Sequence, residues 1–458
     1  MNKINQKNTM ILFGYKLVHF LLCIAAFYWF WIVFRYGSFV TRGYGFRYNY
    51  YTTIGYAVLL LMFSRTYNVY LLGYTRIRSL IFSQFLSQFF TIAITWFSVS
   101  VAWRQFHSPL IFLLMLAIQL AIDIVWSYTA TFCFFKLYSA KKTILVYRNA
   151  LDKHRFGSIK GKPTERLYHI EKEIQYDGSF KELKNQLEGY EAIFVAGVNS
   201  RCRNGILKYC KEQSIPGLFL PHVGDVIMQE AHHIQSFDSP VLYVNRKVLE
   251  PEYIVAKRAF DIFVSGIGII ILSPVLLVTA LAIKIYDHGP AIYKQVRLTK
   301  DGREFKILKF RSMRVDAEKD GVARLSTGDN DDRITPIGKI VRKCRLDELP
   351  QLINIFKGDM SFVGPRPERP EIANQYYETM PDFRLRLQVK AGLTGYAQIY
   401  GKYNTDPYEK LELDLLYIKD MGILTDLRLM FATVGILFSS ESTEGVSGVT
   451  ALDYEEED

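Results

Sequence analysis

The chain opens on four long apolar stretches and then changes character. Residues 17–34, 54–72, 80–103 and 110–135 are dominated by Leu, Ile, Val, Phe and Ala. Each is close to the roughly 20 residues an α-helix needs to cross a hydrocarbon core, which predicts a four-span transmembrane anchor over residues 1–138. The second stretch is the weakest, because Arg65 interrupts it. Ser108 and Pro109 give the fourth an N-cap followed by a proline that forfeits no amide bond. From 139 to 250 the runs shorten. KTILVYRN, ERLYHIEKEI, YEAIFVAG, GLFLPHV and PVLYVNR read as strands separated by helical patterns such as residues 200–213. That alternation predicts a small Rossmann-like parallel α/β sheet. The sheet is degenerate, since Val146-Tyr147-Arg148-Asn149 stands where a dinucleotide-binding turn needs G-x-G-x-x-G.

A further apolar run of 22 residues, 262–283, is interrupted near its centre by Ser273 and Pro274. Lys257 and Arg258 precede it, and Lys284, Lys294 and Arg297 follow, so positive-inside logic holds both ends in the cytoplasm. Proline removes an amide and crowds the preceding turn, while Ser273 can bond the freed carbonyl. The expectation is a helix–break–helix over residues 260–286 that enters one leaflet and returns. A fifth span would strand everything after it outside the cell.

Half of the residues are apolar, 15% aromatic and 22% charged, which excludes a disordered or fibrous chain. The net charge of +11 is unevenly spread. Residues 1–122 carry ten Lys/Arg and no acid, leaving 46 basic against 45 acidic side chains for the rest. The excess therefore flanks membrane helices, and nucleic acid is not an expected partner. Lys3, Lys7 and Lys16 before the first span, and Lys136, Lys141, Lys142 and Arg148 after the fourth, place both ends of the anchor in the cytoplasm. Arg35, Arg42 and Arg47 in the first outward loop run against that rule. No small-residue cleavage site follows the first stretch, so a cleavable signal peptide is not expected. Five cysteines form no C-x-x-C, and the spacing predicts neither a disulfide framework nor a zinc site. Asp123 falls inside the fourth span, where a charge costs on the order of 3 kcal/mol; a protonated or paired residue at a helix–helix contact is expected.

The polar chemistry lies in residues 251–440. Thr335-Pro336 reads as an N-cap and first helical residue, with a helix running to about Cys344. Asp347 reads as the N-cap of the next helix, with Pro350 in its first turn and Gly358 just past its end. That position predicts a carboxylate kept ionised by a positive helix end that also welcomes phosphate. Arg366 between Pro365 and Pro367 is a stiffly presented guanidinium, and Arg311, Arg342 and Arg345 add cations. Arginines from several segments around an adjacent Asp-Glu pair, beside a membrane hairpin, point to phosphate chemistry with a divalent metal.

Seven motifs in order carry a resemblance: Lys257-Arg258-x-x-Asp261, Ser273-Pro274, KFRSM at 309–313, LDELPQ at 346–351, GDMS at 358–361, GPRPE at 364–368 and GLTG at 392–395. With them, residues 251–440 resemble the bacterial sugar transferase family, the monotopic phosphoglycosyl transferases. The whole chain resembles the long subgroup that moves a hexose 1-phosphate from a UDP-sugar to undecaprenyl phosphate. The resemblance implies Asp347 as nucleophile, Glu348 as its partner and Mg2+ held by the two. It also implies substrate binding by Lys309, Arg311, Arg342, Arg366 and Glu368, and a role in exopolysaccharide, capsule or O-antigen synthesis. The cell membrane, with catalysis on its cytoplasmic face, is the implied location, and a homodimer is left open. Family members often carry serine where Arg345 stands and tryptophan where Tyr396-Ala397 stand, so the sugar stays open. The alternatives are a membrane-anchored NAD-dependent nucleotide-sugar dehydratase, which the missing glycines oppose, and a non-enzymatic scaffold. The acidic end, 441–458, is expected to be a disordered tail.

Overall fold

A computed structural model describes residues 3–39, 45–104, 110–150, 152–153, 163–236, 239–246, 249–314, 333–401 and 406–437. The chain divides into two units, Met1–Leu220 and Pro221–Asp458. Ser108, Pro109 and the acidic tail lie outside the described residues.

The first unit begins with four helices, α1 (Lys3–Phe39), α2 (Gly45–Thr66), α3 (Ile77–Trp103) and α4 (Leu110–Leu137). Residues 8–31, 77–102 and 110–137 are long and apolar enough to cross a membrane, as is a fourth segment, 251–286, of the second unit. The second helix is not among them and sits earlier than the apolar run 54–72 predicts. It ends at Thr66, and Asn68 takes a left-handed φ of 52° in the turns that follow. Polar side chains fill much of the bundle interior. Phe27 stacks on Tyr56 at 4.0 Å, and Gln119 donates to the Tyr56 hydroxyl at 2.7 Å and to the Cys23 carbonyl at 3.2 Å. Asp123 is paired as expected, accepting from Gln88 at 2.8 Å and lying 2.9 Å from His19 Nε2.

Strands β1 (Lys141–Tyr147), β2 (Tyr168–Gln175), β3 (Ala192–Ala196) and β4 (Gly217–Phe219), with helices α5 (Phe180–Leu187) and α6 (Ser200–Gln213), complete this unit. The sheet is parallel throughout, in the order β2-β1-β3-β4. Its two central strands are apolar on both faces because both are covered. Ile144, Val146, Ile193 and Val195 pack with Leu183, Leu187 and Ile206, while Leu145, Phe194 and Ala196 fill the opposite side. Asn199 caps α6 by accepting from the Cys202 amide at 2.9 Å.

The fifth run, PVLYVNR, does not extend that sheet. It forms β6 (Ser239–Tyr243), paired antiparallel with β5 (His232–Ser236), a strand the sequence pattern missed. Both belong to the second unit, which starts with the short helix α7 (Val223–Met228). Then come α8 (Pro251–Asp287), β7 (Ile292–Leu298), β8 (Glu304–Phe310), α9 (Pro336–Lys343), α10 (Gln351–Lys357), β9 (Ser361–Val363), α11 (Pro370–Thr379), β10 (Gly392–Thr394), α12 (Tyr396–Tyr400), α13 (Pro407–Asp420) and α14 (Ile423–Leu437). The unit is mainly helical. One core joins Val223 and Val226 of α7 to Ile355, Phe362, Phe383, Leu411, Ile418 and Leu429.

The Lys257-Arg258-x-x-Asp261 motif seats α8 on this body. Arg258 donates to the Ile355 and Phe356 carbonyls at 2.8 Å each, capping the end of α10. Asp261 accepts from the Phe362 amide and the Ser361 hydroxyl, and Lys257 pairs with Asp426 at 2.6 Å. The expected break at Ser273-Pro274 is not a gap in the helix, for α8 runs through it. Pro274 supplies no amide to the Ile270 carbonyl, and the Ser273 hydroxyl donates to that carbonyl at 2.7 Å. One substituted bond keeps the backbone satisfied, which is why the helix continues.

Candidate active site

The helix expected from Thr335 is present as α9, with Thr335 Oγ1 accepting from the Gly338 amide at 2.9 Å. Arg342 Nε on its last turn donates to Ser312 Oγ at 3.0 Å, tying α9 to the strand-end segment KFRSM. The chain then turns sharply at Arg345, whose φ of 56° lies in the left-handed region that a side chain rarely adopts. Leu346–Glu348 forms one 3-10 turn, and α10 starts only at Gln351. Asp347 is therefore not a helix N-cap. The seven-residue α10 begins three positions past Glu348, and ends as expected at Gly358, whose φ is 94°.

Asn354 on α10 clamps β8 to this turn, accepting from the Leu308 amide at 2.9 Å and donating to the Lys306 carbonyl at 2.9 Å. Lys309, the next residue of β8, thereby comes beside the two carboxylates. From the other side comes Arg366, whose NH2 donates to Glu348 Oε1 at 3.2 Å. Arg366 is exposed while Pro365 and Pro367 on either side are buried, so the prolines present the guanidinium outward. Behind them Gly364 and Gly392 meet backbone to backbone. A Cβ on Gly392 would stand 2.0 Å from the Gly364 amide nitrogen, so the GPRPE and GLTG motifs can cross only with glycine at both positions.

Charge decides the protonation of the pair. Burial pushes Asp347 up to about 6; Glu348 adds to this, and Lys309, Arg342 and Arg345 oppose it. Burial also opposes ionisation of Glu348, yet Arg366, Lys309 and Arg345 outweigh it and hold that carboxyl down at about 2. Burial lowers Lys309 to about 8, moderated by Glu348. The expectation that a helix end keeps Asp347 ionised is thus replaced. Side-chain cations do so, against desolvation and a neighbouring carboxylate.

Three of the five expected substrate-binding residues, Lys309, Arg342 and Arg366, converge on Asp347 and Glu348, and Arg345 joins them. The other two lie elsewhere in the contact pattern. Arg311 is buried, with its guanidinium against Gly289, where a Cβ would meet NH1 at 2.1 Å. Glu368 faces Arg386 at 3.7 Å and Arg297 at 3.9 Å. Arg386 is itself buried on Asp414 at 2.6 Å and donates to the Arg366 carbonyl at 2.9 Å. This supporting pair escaped sequence reading; Arg386 lies in a polar stretch, PDFRLRLQ, with no motif to mark it. The adjacent carboxylates suit a hard divalent cation, which Mg2+ sites bind through one or two carboxylates plus substrate phosphates. Four neighbouring cations repel such an ion on its own, so the residues fit Mg2+ arriving with a diphosphate.

A family model described as bacterial sugar transferase matches residues 252–440. A UDP-glucose:undecaprenyl-phosphate glucose-1-phosphate transferase of Klebsiella pneumoniae is 44% identical over 203 residues, 43% of this chain and 42% of that protein. A UDP-N-acetylgalactosamine-undecaprenyl-phosphate N-acetylgalactosaminephosphotransferase of Aeromonas hydrophila is 40% identical over 187 residues, 40% of this chain and 44% of that protein. Exopolysaccharide production protein PSS of Rhizobium leguminosarum bv. phaseoli is 42% identical over 201 residues, 42% of this chain and 98% of that protein. The aligned part of the chain thus spans less than half the length of the first two relatives and nearly all of the third. These matches favour neither a dehydratase nor a scaffold. With a relative matched over almost its full length and the motifs gathered around Asp347 and Glu348, the chain belongs to the bacterial sugar transferase family.

Proposed function

We propose that this chain transfers a hexose 1-phosphate from a UDP-sugar to undecaprenyl phosphate at the cytoplasmic face of a bacterial cell membrane, releasing UMP, in the first membrane step of surface-polysaccharide synthesis. The observation that carries the reading is the charge of the site. Lys309, Arg342, Arg345 and Arg366 all bear on Asp347 and Glu348, and cations brought together from four segments suit an anionic substrate. A diphosphate supplies it.

In the first step an Asp347 carboxylate oxygen attacks the sugar-bearing phosphorus. A P–O bond forms, the bond to the bridging oxygen breaks, and UMP departs with the electron pair. In the second, an oxygen of the lipid phosphate attacks the same phosphorus and the Asp347 carboxylate leaves unchanged. Arg366 anchors Glu348 and turns its exposed guanidinium toward phosphate, while Lys309 holds positive charge beside the two acids. Mg2+, when bound by Asp347 and Glu348, supplies charge neutralisation to the transferring phosphoryl group.

The membrane placement rests on α8. Its 37 residues are about 55 Å long at 1.5 Å per residue, against a hydrocarbon core of about 30 Å. Val264, Ile269 and Leu272 before Pro274 pack on the core of the second unit, and Leu276, Ala280 and Ile283 after it pack with Phe310 and Val341 of that unit. A helix held to one polar body on both sides of its proline favours entry into a single leaflet over a crossing. Its other flank, with Phe263, Ile270, Ile271, Leu277 and Val278 exposed, suits lipid. Donors with different sugars are named for the relatives, so the test uses a panel of radiolabelled UDP-hexoses with undecaprenyl phosphate. Label entering the organic phase from at least one donor is expected. Label that stays in water with every donor contradicts the proposal.

A further inference from the structure

We propose that His19, Cys23 and Asp123 form a binding site for a divalent transition-metal ion of the zinc type inside the helical bundle of the first unit. His19 and Cys23 lie four residues apart on one face of α1, and Asp123 reaches them from α4. The imidazole nitrogen, the thiol sulfur and a carboxylate oxygen all fall within 4.8 Å of one another. His19 Nε2 stands 2.9 Å from Asp123 Oδ1 and 3.8 Å from Cys23 Sγ. Ligand atoms around a tetrahedral zinc stand about 3.3–3.8 Å apart, given metal–ligand lengths of about 2.0–2.3 Å, so small side-chain shifts suffice.

Two buried atoms point to a missing ligand. Asp123 Oδ2 and Gln88 Oε1 have no hydrogen-bond partner among the described residues, although Asp123 is 0% and Gln88 1% exposed. Gln88 Nε2 lies beside the same ligand atoms, donating to Asp123 Oδ1 at 2.8 Å and to Cys23 Sγ at 3.4 Å. Rotating that amide about its terminal torsion exchanges Nε2 for Oε1 and supplies a fourth donor. Outside the cluster, Tyr70 Oη meets His19 Nδ1 at 3.1 Å, the outer contact that fixes the ring of a metal-bound histidine.

Charge selects the ion. A neutral imidazole, a thiolate and a carboxylate sum to −2, which a divalent cation cancels, and a neutral site is what an apolar bundle tolerates. The mixed N, S and O set excludes Mg2+, which takes oxygen, and suits zinc. Loading releases protons, because only the deprotonated donors bind the ion. The bound ion clamps the first helix of the bundle to the last. Sequence spacing argued against zinc because two ligands come from α1 and the third from a hundred residues later.

The test uses the full chain in detergent with Cys133, Cys202, Cys210 and Cys344 changed to Ser, stripped with chelator and titrated with Co2+. Expected are one Co2+ per chain with a thiolate-to-cobalt charge-transfer band and tetrahedral visible bands, and their loss on adding Zn2+. The catalytic carboxylates cannot produce the thiolate band. Cys23→Ser abolishes it, and Tyr70→Phe weakens binding by about 10–100-fold. Should the cysteine-depleted chain fold poorly, the difference spectrum between the native chain and Cys23→Ser reads the same band. Monodisperse, helical protein with no thiolate band, in either format, overturns the proposal and leaves a hydrogen-bonded cluster only.

Discussion

Asp123 and Asp347 are both withdrawn from water, and their surroundings differ in one respect. Asp123 meets one imidazole, one amide and one thiol. Asp347 shares its turn with Glu348 and faces three cations directly, with Arg366 beyond. The cation-lined site suits an anion, and the other cluster does not. The contrast separates a site that holds helices together from one that waits for a substrate, and it does so without reference to motifs.

The largest effect expected from breaking this contrast is at Asp347. Asp347→Asn keeps the shape of the side chain and removes the proposed nucleophile, so label transfer should fall by about 10³-fold or more, with the circular dichroism spectrum unchanged. Asp123→Asn, by comparison, should leave the rate of label transfer within about tenfold. Next comes Arg366→Ala, expected to lower kcat/KM by about 10²–10³-fold; Arg366→Lys should restore little, since a point charge replaces a planar fork. Glu368→Gln sharpens the boundary between contact and support. Its carboxylate faces Arg297 and Arg386, so the change should lower Tm more than it lowers transfer in protein that stays folded.

A pH profile gives a smaller effect with a defined sign. In the proposed mechanism Asp347 must lose its proton to attack, and burial has raised it to about 6, so kcat/KM should rise as pH increases through 6. Lys309 must keep its proton, and burial has lowered it to about 8, so kcat/KM should fall above that. Lys309→Arg should abolish the alkaline limb and leave the acid limb in place, because a guanidinium stays charged. An alkaline limb that survives in Lys309→Arg assigns it to another group. Smallest of all is Pro274→Ala. The restored amide competes with Ser273 for the Ile270 carbonyl, and activity should drop only a few-fold, because the contacts of α8 on both sides of the proline remain.

Much of this architecture could be read from local chemistry. Thr335-Pro336 opening a helix, Gly358 closing one, and residues 200–213 as a helix between strands all follow from caps and periodicity. Reading failed where partners from distant segments decide. PVLYVNR has the strand propensity expected of it but pairs with His232–Ser236, not with the parallel sheet, because register depends on what lies next to it in space. Asp347 looked like a helix cap, since an aspartate three residues before a proline fits that pattern. The left-handed turn at Arg345 instead inserts a separate 3-10 turn before the helix begins. Within the site, the cations adjacent in sequence were legible and the Arg386–Asp414 support behind Arg366 was not, as no spacing rule links residue 386 to residue 414.

The central claim is that Asp347 itself carries the sugar phosphate between donor and lipid, and one measurement addresses it directly. Purified full-length enzyme, Mg2+ and the preferred UDP-sugar are mixed with no lipid acceptor. The account predicts a burst of UMP approaching one equivalent per active site, and a peptide containing Asp347 that is heavier by the mass of a hexose phosphate. UMP released only once undecaprenyl phosphate is added, with no adduct on that peptide, would contradict it and make the transfer a single direct displacement.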